Sequence, residues 1–184
     1  MIGIISKESE VEVVEEFFQL FKTPWEFYED GKEYDVVIIS KDKRIDTINA
    51  KVFLIFGHEC MELDRNKNIS LDTHHNIRIL RIDEINLPIY TQIASFKDVS
   101  DGIIYLKSNS DIICLKIKEE SKTFIRIGYN LFEEVGFLLL EGQPKENSFI
   151  PTLEIHIALL REWIVEAGIP LIEILKWSGC QDQI

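Results

Sequence analysis

The sequence predicts a three-layer open α/β sheet with a mainly parallel N-terminal half, an antiparallel hairpin section and two C-terminal helices. Three observations support this fold class. Short all-apolar runs recur within the first 57 residues, separated by connecting segments, which is typical of parallel strands buried on both faces. Five strand-like segments then follow between residues 76 and 129, with the short polar turns of antiparallel hairpins. Two segments with helical periodicity come after them.

The first strand and the first helix have clear local signals. Residues 2–5 are all apolar or glycine, as expected for a buried strand. Ser9 and Glu12 have the S-x-x-E spacing of a capping box, so we expect a helix to begin there. Proline disfavours helical geometry in the residue before it, so Pro24 ends this helix. Its apolar stripe consists of Val13, Val14, Phe17, Phe18 and Phe21.

Two further apolar runs, 35–40 and 51–57, predict a second and a third buried strand. Residues 24–31 predict an edge strand and a turn, and residues 42–50 a short helix or a turn. The polar segment 58–68 is expected to form a loop or a short helix.

The hairpin section alternates apolar and polar residues. In residues 111–117 this alternation predicts a strand with one wet face, and Cys114 is expected to be buried or half-buried. Asn130 is a candidate N-cap for the next helix, which Gly142 and Pro144 terminate. A last helix is predicted from Thr152 to Gly168, with His156 at its surface or boundary.

Composition and charge exclude several classes of function. The formal net charge of −12 argues against nucleic acid and against anionic membrane surfaces, both of which need clustered positive charge. No apolar run approaches 18 residues, so no membrane insertion is expected. Three unpatterned cysteines and an N-terminus without a secretory pattern favour a cytoplasmic protein.

The sequence carries no strong catalytic, metal or cofactor motif. A nucleophile elbow, a glycine-rich phosphate loop and an H-E-x-x-H motif are all missing from it. Cys60 follows a predicted strand two residues after His58, and this pair is the best candidate for thiol chemistry, although a structural thiol is favoured. His74 and His75 lie near Asp72, where a polar loop is favoured over a metal site. We therefore expect no catalytic, metal or cofactor-binding residue.

Polar residues at the ends of the predicted strands define a candidate ligand site. In open α/β sheets, ligands bind in the crevice outside the carboxyl ends of the strands. Ser6, Ser40 and His58 follow the first three predicted strands, and Asn130 follows the last one. We expect these four residues to line any pocket that binds a small ligand.

Two stretches resemble known families. Residues 125–174, from IRIGYNLF to GIPLIEI, and the stretch LPIYTQIASF (residues 87–96) resemble the region before the catalytic domain of polysaccharide deacetylase-related proteins. The layout of residues 1–57, the hairpins and the closing GYNLF are similar to the class I glutamine amidotransferase-like fold, a flavodoxin-like arrangement. The resemblance implies one domain over residues 1–168, and a tail or linker over residues 169–184 that leads toward a missing catalytic domain.

The chain lacks the deacetylase metal motif and the amidotransferase elbow cysteine. The expectation is therefore a non-catalytic accessory domain in carbohydrate metabolism, acting as a packing or glycan-binding module. Its expected partner is a polysaccharide deacetylase domain or a second copy of itself. The alternative is a small degenerate amidotransferase-like hydrolase that uses Cys60 and His58.

Overall fold

The computed structural model describes residues 1–74, 78–82, 85–97, 103–108 and 111–171. The strands in these ranges join in a single sheet of 11 strands. In chain order they are β1 (Ile2–Ile5), β2 (Trp25–Phe27), β3 (Tyr34–Ile39), β4 (Ala50–Phe56), β5 (Ser70–His74), β6 (Arg78–Ile82), β7 (Ile85–Ile89), β8 (Ile93–Lys97), β9 (Ile103–Ser108), β10 (Asp111–Glu119) and β11 (Lys122–Ile127).

Four α-helices accompany the strands: α1 (Val11–Phe21), α2 (Glu62–Lys67), α3 (Leu131–Leu140) and α4 (Thr152–Glu166). Asn130 is the N-cap of α3, as predicted, since its side-chain oxygen accepts a hydrogen bond from the backbone N–H of Phe132 at 3.0 Å. The capping box at Ser9 and Glu12 is wrong. Ser9 lies inside a one-turn 3-10 helix (Glu8–Glu10), and the Glu10 carboxylate accepts from the backbone N–H of Lys7 instead. Within the described ranges, no helix is long and apolar enough to cross a bilayer.

The predicted mixed α/β class and the parallel N-terminal half are confirmed. Strands β2, β1, β3, β4 and β11 lie side by side in this order, and each neighbouring pair is parallel. The chain places β2 on one side of β1 and then crosses over to place β3 on the other side. The direction of winding therefore reverses between β1 and β3.

The predicted hairpins form the second half of the sheet and make it curl. Strand β10 is antiparallel to β11, and β9, β6 and β7 continue the sheet from there. Strands β5 and β8 branch from this path, because β8 pairs with both β10 and β5. One of the five predicted hairpin strands, residues 88–96, is divided at Tyr90–Gln92 between β7 and β8.

The two faces of the sheet are covered differently. Helices α1, α3 and α4 pack on one face, where the buried phenylalanines of α1 meet Phe132 of α3 and Trp163 of α4 in one apolar core. The other face has a smaller core, to which α2 contributes Leu63 and the segment before β4 contributes Ile48. Because that face carries only a six-residue helix and irregular segments, the three-layer, flavodoxin-like arrangement is not confirmed.

Two burial predictions are corrected by the packing of α4. The face of β10 that was predicted to be wet is buried at Lys116, whose Nζ lies 3.8 Å from Glu166 of α4, whereas Cys114 is buried as predicted. His156, predicted at the surface, is buried on α4, and its Nδ1 lies 3.2 Å from the Tyr129 hydroxyl. The tail predicted over residues 169–184 lies outside the described residues from residue 172 onward.

Candidate functional site

Four predicted site residues lie at one edge of the sheet. Ser6 follows β1, Ser40 follows β3, and His58 comes two residues after β4. Asn130 comes three residues after β11. Since these four strands are mutually parallel, their carboxyl ends meet at the same edge, where the open-sheet rule places ligands.

Glu10 fastens two of the four residues to each other. Its Oε2 atom accepts a hydrogen bond from the Ser40 hydroxyl at 2.5 Å, and its Oε1 atom accepts one from the Asn130 amide at 2.7 Å. All three side chains are buried, with 4 % or less of their surface exposed. A buried carboxylate with several hydrogen bonds is a stable structural element. Ser40 and Asn130 therefore hold the edge together beneath the surface.

Nearer the surface, His58 and Lys7 both lie beside Glu133. Lys7 Nζ donates a hydrogen bond to Glu133 Oε1 at 2.8 Å, and His58 Nδ1 lies 3.8 Å from Glu133 Oε2. Burial lowers the pKa of Lys7, but the hydrogen bond and the charge of Glu133 outweigh it, so the pKa is raised. His58 Nδ1 is buried and has no hydrogen-bond partner among the described residues.

Ser6 lines a groove at the point where the winding of the sheet reverses. The groove has a volume of about 460 Å³ and lies between the segments that follow β1, β2 and β3. Phe27 and Tyr28 supply aromatic rings, and Phe27 is 37 % exposed. The remaining walls are Ile4, Ile5, Ser6, Lys7, Glu8, Val11, Lys41, Asp42 and Lys43.

Most charges in the groove already have partners. Asp42 accepts a hydrogen bond from the backbone N–H of Glu62 at 2.8 Å and one from the Arg65 guanidinium at 2.6 Å. Lys43 pairs with Asp30 at 3.0 Å and lies over the ring of Tyr28, 4.5 Å from its centroid. These contacts leave two charged side chains of the groove to a ligand.

Those two side chains are Lys41 and Glu8. Both are exposed, and neither forms a hydrogen bond or an ion pair with any residue that the structure describes. They come from two different segments, because Lys41 follows β3 and Glu8 follows β1. The groove therefore offers one cationic and one anionic group, together with two aromatic rings.

Cys60, the candidate nucleophile, and His58, its candidate base, have different surroundings. Cys60 is exposed, and its Sγ lies 3.8 Å from the backbone oxygen of Met61. In the described part of the chain no hydrogen bond joins Cys60 to His58, whose nearest carboxylates are Glu133 and Glu59. Activation of a cysteine by a histidine base requires the two side chains to lie within hydrogen-bond distance or slightly beyond it.

The histidine pair predicted in a polar loop is partly corrected. His74 is the last residue of β5, and its Nε2 lies 3.0 Å from the hydroxyl of Ser95 on β8. His75 lies outside the described residues. Over the described ranges, no group of three His, Cys, Asp or Glu side chains is arranged to hold a metal ion.

Sequence reasoning placed Ser6 in the groove but missed its lysines and its aromatic rings. The positions of these residues relative to the predicted strands could have identified them. Lys7 and Lys41 both occupy the second position after a buried strand, and Phe27 ends the predicted edge strand. The rule that selected polar residues at strand ends applies equally to these neighbours, which the strand direction brings to the same edge.

Comparisons with known proteins show the fold alone. Neither a protein-family model nor a curated protein sequence matches this chain. An exo-β-1,4-mannosidase from Opitutaceae bacterium strain TAV5 is similar in structure, with a TM-score of 0.60 and 9 % identity over 94 % of this chain. A catalytic mutant of a GH42 β-galactosidase from G. stearothermophilus has a TM-score of 0.60 and 7 % identity over 91 % of this chain.

These neighbours correct the family resemblance stated above. These structural neighbours are a mannosidase and β-galactosidases, so the assignment to polysaccharide deacetylase-related proteins and to the amidotransferase-like fold is wrong. The chain spans only 36 % and 30 % of the length of the mannosidase and the galactosidase. What it shares with them is the architecture of a part of each.

Proposed function

We propose that this chain is a non-catalytic, sugar-binding module of carbohydrate-active proteins, with its binding site in the groove between β1 and β3. The observation that carries the proposal is the groove itself, about 460 Å³ in volume at the reversal of winding. Small-molecule sites are concave, largely preformed and located preferentially at such points.

The chemistry of the groove suits a sugar. A pyranose ring has an apolar face of C–H groups and an equatorial belt of hydroxyls. Phe27 offers aromatic surface to that face, whereas the Tyr28 ring already has the Lys43 ammonium over it. Ser6, Glu8 and Lys41 offer donors and acceptors to the hydroxyls. A few polar groups beside an apolar wall fix the orientation of a ligand.

The thiols support a non-catalytic role. Cys114 is fully buried, and burial raises the pKa of its thiol far above the ordinary range, so it is not a nucleophile. Cys60 is exposed, and among the described residues no base forms a hydrogen bond with its thiol. The buried carboxylate Glu10 is occupied by hydrogen bonds from its neighbours and is withdrawn from solvent.

The structural neighbours give the proposal its substrate class. Both are named as enzymes that act on sugar chains, and this chain shares the fold of a part of each. A shared fold at 9 % identity or less does not carry an activity with it. The sugar specificity therefore rests on the groove and is tested there.

The test is titration of the ¹⁵N-labelled protein with mannose- and galactose-containing oligosaccharides, followed by NMR. We expect chemical-shift changes of the amides at residues 4–8, 27–28 and 41–43. The Phe27→Ala variant should bind about tenfold more weakly, because it loses roughly the binding free energy of one aromatic stacking contact. Phe149→Ala is the matched control, because Phe149 is 80 % exposed and does not line the groove. Shifts scattered over the whole surface, or equal loss in both variants, would refute the proposal.

A second candidate is a packing role, and exposed apolar side chains favour it. Leu139, Leu140 and Phe149 are 39 %, 83 % and 80 % exposed, and they lie in one short stretch around the end of α3. Solvent-exposed apolar groups of this size are common at interaction surfaces. Light scattering after size exclusion tests it: a self-associating wild type and a monomeric Leu140→Glu, Phe149→Glu variant would support packing between copies.

A further inference from the structure

We infer that the ligand of the groove is an acidic sugar, whose carboxylate or phosphate group is bound by Lys41 while its hydroxyls are bound by Glu8 and Ser6. This inference rests on the proposed sugar-binding function and adds the charge of the ligand. It follows from which charged groups in the groove are already paired and which are not.

Three of the five charged side chains in the groove are neutralised within the protein. Lys7 pairs with Glu133, Lys43 pairs with Asp30, and Asp42 accepts from Arg65. The residue left with a full positive charge is Lys41. An ammonium group donates up to three hydrogen bonds and forms its strongest ones with anionic oxygens.

The backbone before Lys41 is firmly anchored, so its position relative to the groove is defined. The Ser40 N–H donates to the backbone oxygen of Ile5 at 2.9 Å, and the Ser40 hydroxyl donates to the buried Glu10. Both bonds tie the end of β3 to β1 and the segment that follows it, which also lines the groove. Ser40 thus acts as a positioning residue for Lys41.

The electrostatic setting at this edge differs from that of the whole chain. With a net charge of −12, the protein repels anions in general. The lining of the groove holds three lysines against the two carboxylates of Glu8 and Asp42, so this edge is less acidic than the chain as a whole.

Glu8 favours an acidic sugar over a simple anion. It lines the same groove as Lys41 but comes from the segment after β1, and a bare phosphate filling the groove would meet this exposed carboxylate. An acidic sugar suits both charged groups of the groove, because its acid group lies at one end of the ring and its hydroxyls at the other. The hydroxyls donate to Glu8 and to Ser6, while the acid group contacts Lys41.

The inference is tested by calorimetric titration with matched pairs of ligands. The pairs are mannose oligosaccharides against mannuronate oligosaccharides, and galactose against galacturonate oligosaccharides, with glucose 6-phosphate and inorganic phosphate added. We expect the acidic member of at least one pair to bind about tenfold or more tightly than the neutral member, the value of one charge-assisted hydrogen bond. Raising the salt concentration from 50 to 500 mM should weaken the acidic ligand selectively.

Variants assign the effect to Lys41. Lys41→Gln should reduce the preference for the acidic ligand to less than about threefold, and Lys41→Arg should retain most of it. Lys118→Gln is the matched control, because Lys118 is exposed near the opposite end of the sheet, where β10 pairs with the start of β11. This control removes the same charge without touching the groove.

The outcomes separate the two proposals. Equal binding of neutral and acidic sugars, unaffected by Lys41→Gln, would overturn the inference and leave the sugar-binding function standing. Binding of inorganic phosphate alone, without any sugar, would overturn both in favour of a simple anion site. Absence of binding by every sugar of either kind would overturn the proposed function itself.

Discussion

The Arg126 guanidinium and the Asp64 carboxylate form an ion pair with no solvent exposure, in which Nη2 lies 2.9 Å from Oδ2. Arg126 projects from β11, and its Nη1 also donates to the backbone oxygens of Gly57 at 2.7 Å and Ile127 at 2.6 Å. Asp64 lies on the buried side of α2, and its carboxylate accepts a hydrogen bond from the Met61 N–H. This ion pair therefore connects β11, α2 and the loop after β4.

Removing one partner of this pair should be costly. Asp64→Ala leaves the Arg126 charge buried without compensation, so we expect the free energy of unfolding to fall by about 3–5 kcal/mol. Asp42→Ala removes the exposed pair with Arg65 and the hydrogen bond from the Glu62 N–H at the start of α2, and should cost less, about 1–2 kcal/mol. Urea unfolding of both variants measures the difference. Similar losses in the two variants would mean that the buried pair contributes no more than a surface pair.

Gly128 is required where β11 meets β8. A Cβ atom at this position would lie 2.0 Å from the backbone oxygen of Ala94, whose N–H donates to the Gly128 oxygen at 2.6 Å. We expect Gly128→Ala to lower the unfolding free energy by roughly 2 kcal/mol or more, since only backbone displacement relieves the clash.

Gly136 provides the control for that substitution. It lies inside α3, where a Cβ atom would have Val13 Cγ2 as its nearest neighbour at 3.4 Å. Gly136→Ala should leave stability unchanged or raise it by about 0.5–1 kcal/mol, because alanine is the better helix former. A Gly128→Ala protein as stable as the wild type in thermal unfolding would show that β8 shifts freely away from β11.

Local patterns predicted much of this fold because their causes are local. The apolar runs gave β1, β3 and β4 within a residue or two, and the capping chemistry of Asn130 marked the start of α3 correctly. The Glu10 hydrogen bonds were beyond such patterns. They join residues 30 and 120 positions apart in sequence, so no spacing in the sequence reveals them.

Burial by a distant helix explains the predictions that failed. The alternation in β10 predicted a wet face, but Lys116 on that face is buried against α4, about 40 residues further along the chain. The same packing hides His156. For the groove, the strand-end rule found Ser6, whereas the freedom of Lys41 depends on which neighbouring charges pair with each other, and only the folded structure decides that.

Burial of His156 makes the stability of the protein depend on pH. Its pKa is lowered by burial to about 4, against an ordinary value of 6.5 in the unfolded chain. The neutral imidazole is favoured in the native state, so its contribution is fully present above pH 6.5 and is lost as the pH falls toward 4. The loss amounts to about 3 kcal/mol, from roughly 2.5 pH units at 1.36 kcal/mol each.

The variant His156→Gln isolates this contribution. Glutamine keeps a hydrogen-bonding group for Tyr129 but does not titrate. Unfolding free energies of wild type and variant, measured between pH 4 and 8, should converge as the pH falls, with the wild type losing more stability. Parallel curves across that range would mean that His156 titrates alike in the folded and unfolded chain.

Thiol chemistry at Cys60 gives the sharpest test against a catalytic role. Cys60 is exposed and Cys114 is fully buried, so brief treatment with iodoacetamide should alkylate Cys60 and spare Cys114, as peptide mass spectrometry would report. Because Cys60 does not line the groove, both the alkylated protein and Cys60→Ser should bind sugars with unchanged affinity. A thiol hydrolase would behave differently, since its nucleophile needs a hydrogen-bonded base and its loss abolishes turnover. Hydrolysis of any oligosaccharide or amide by the wild type that disappears in Cys60→Ser would make Cys60 a catalytic residue and overturn the non-catalytic assignment.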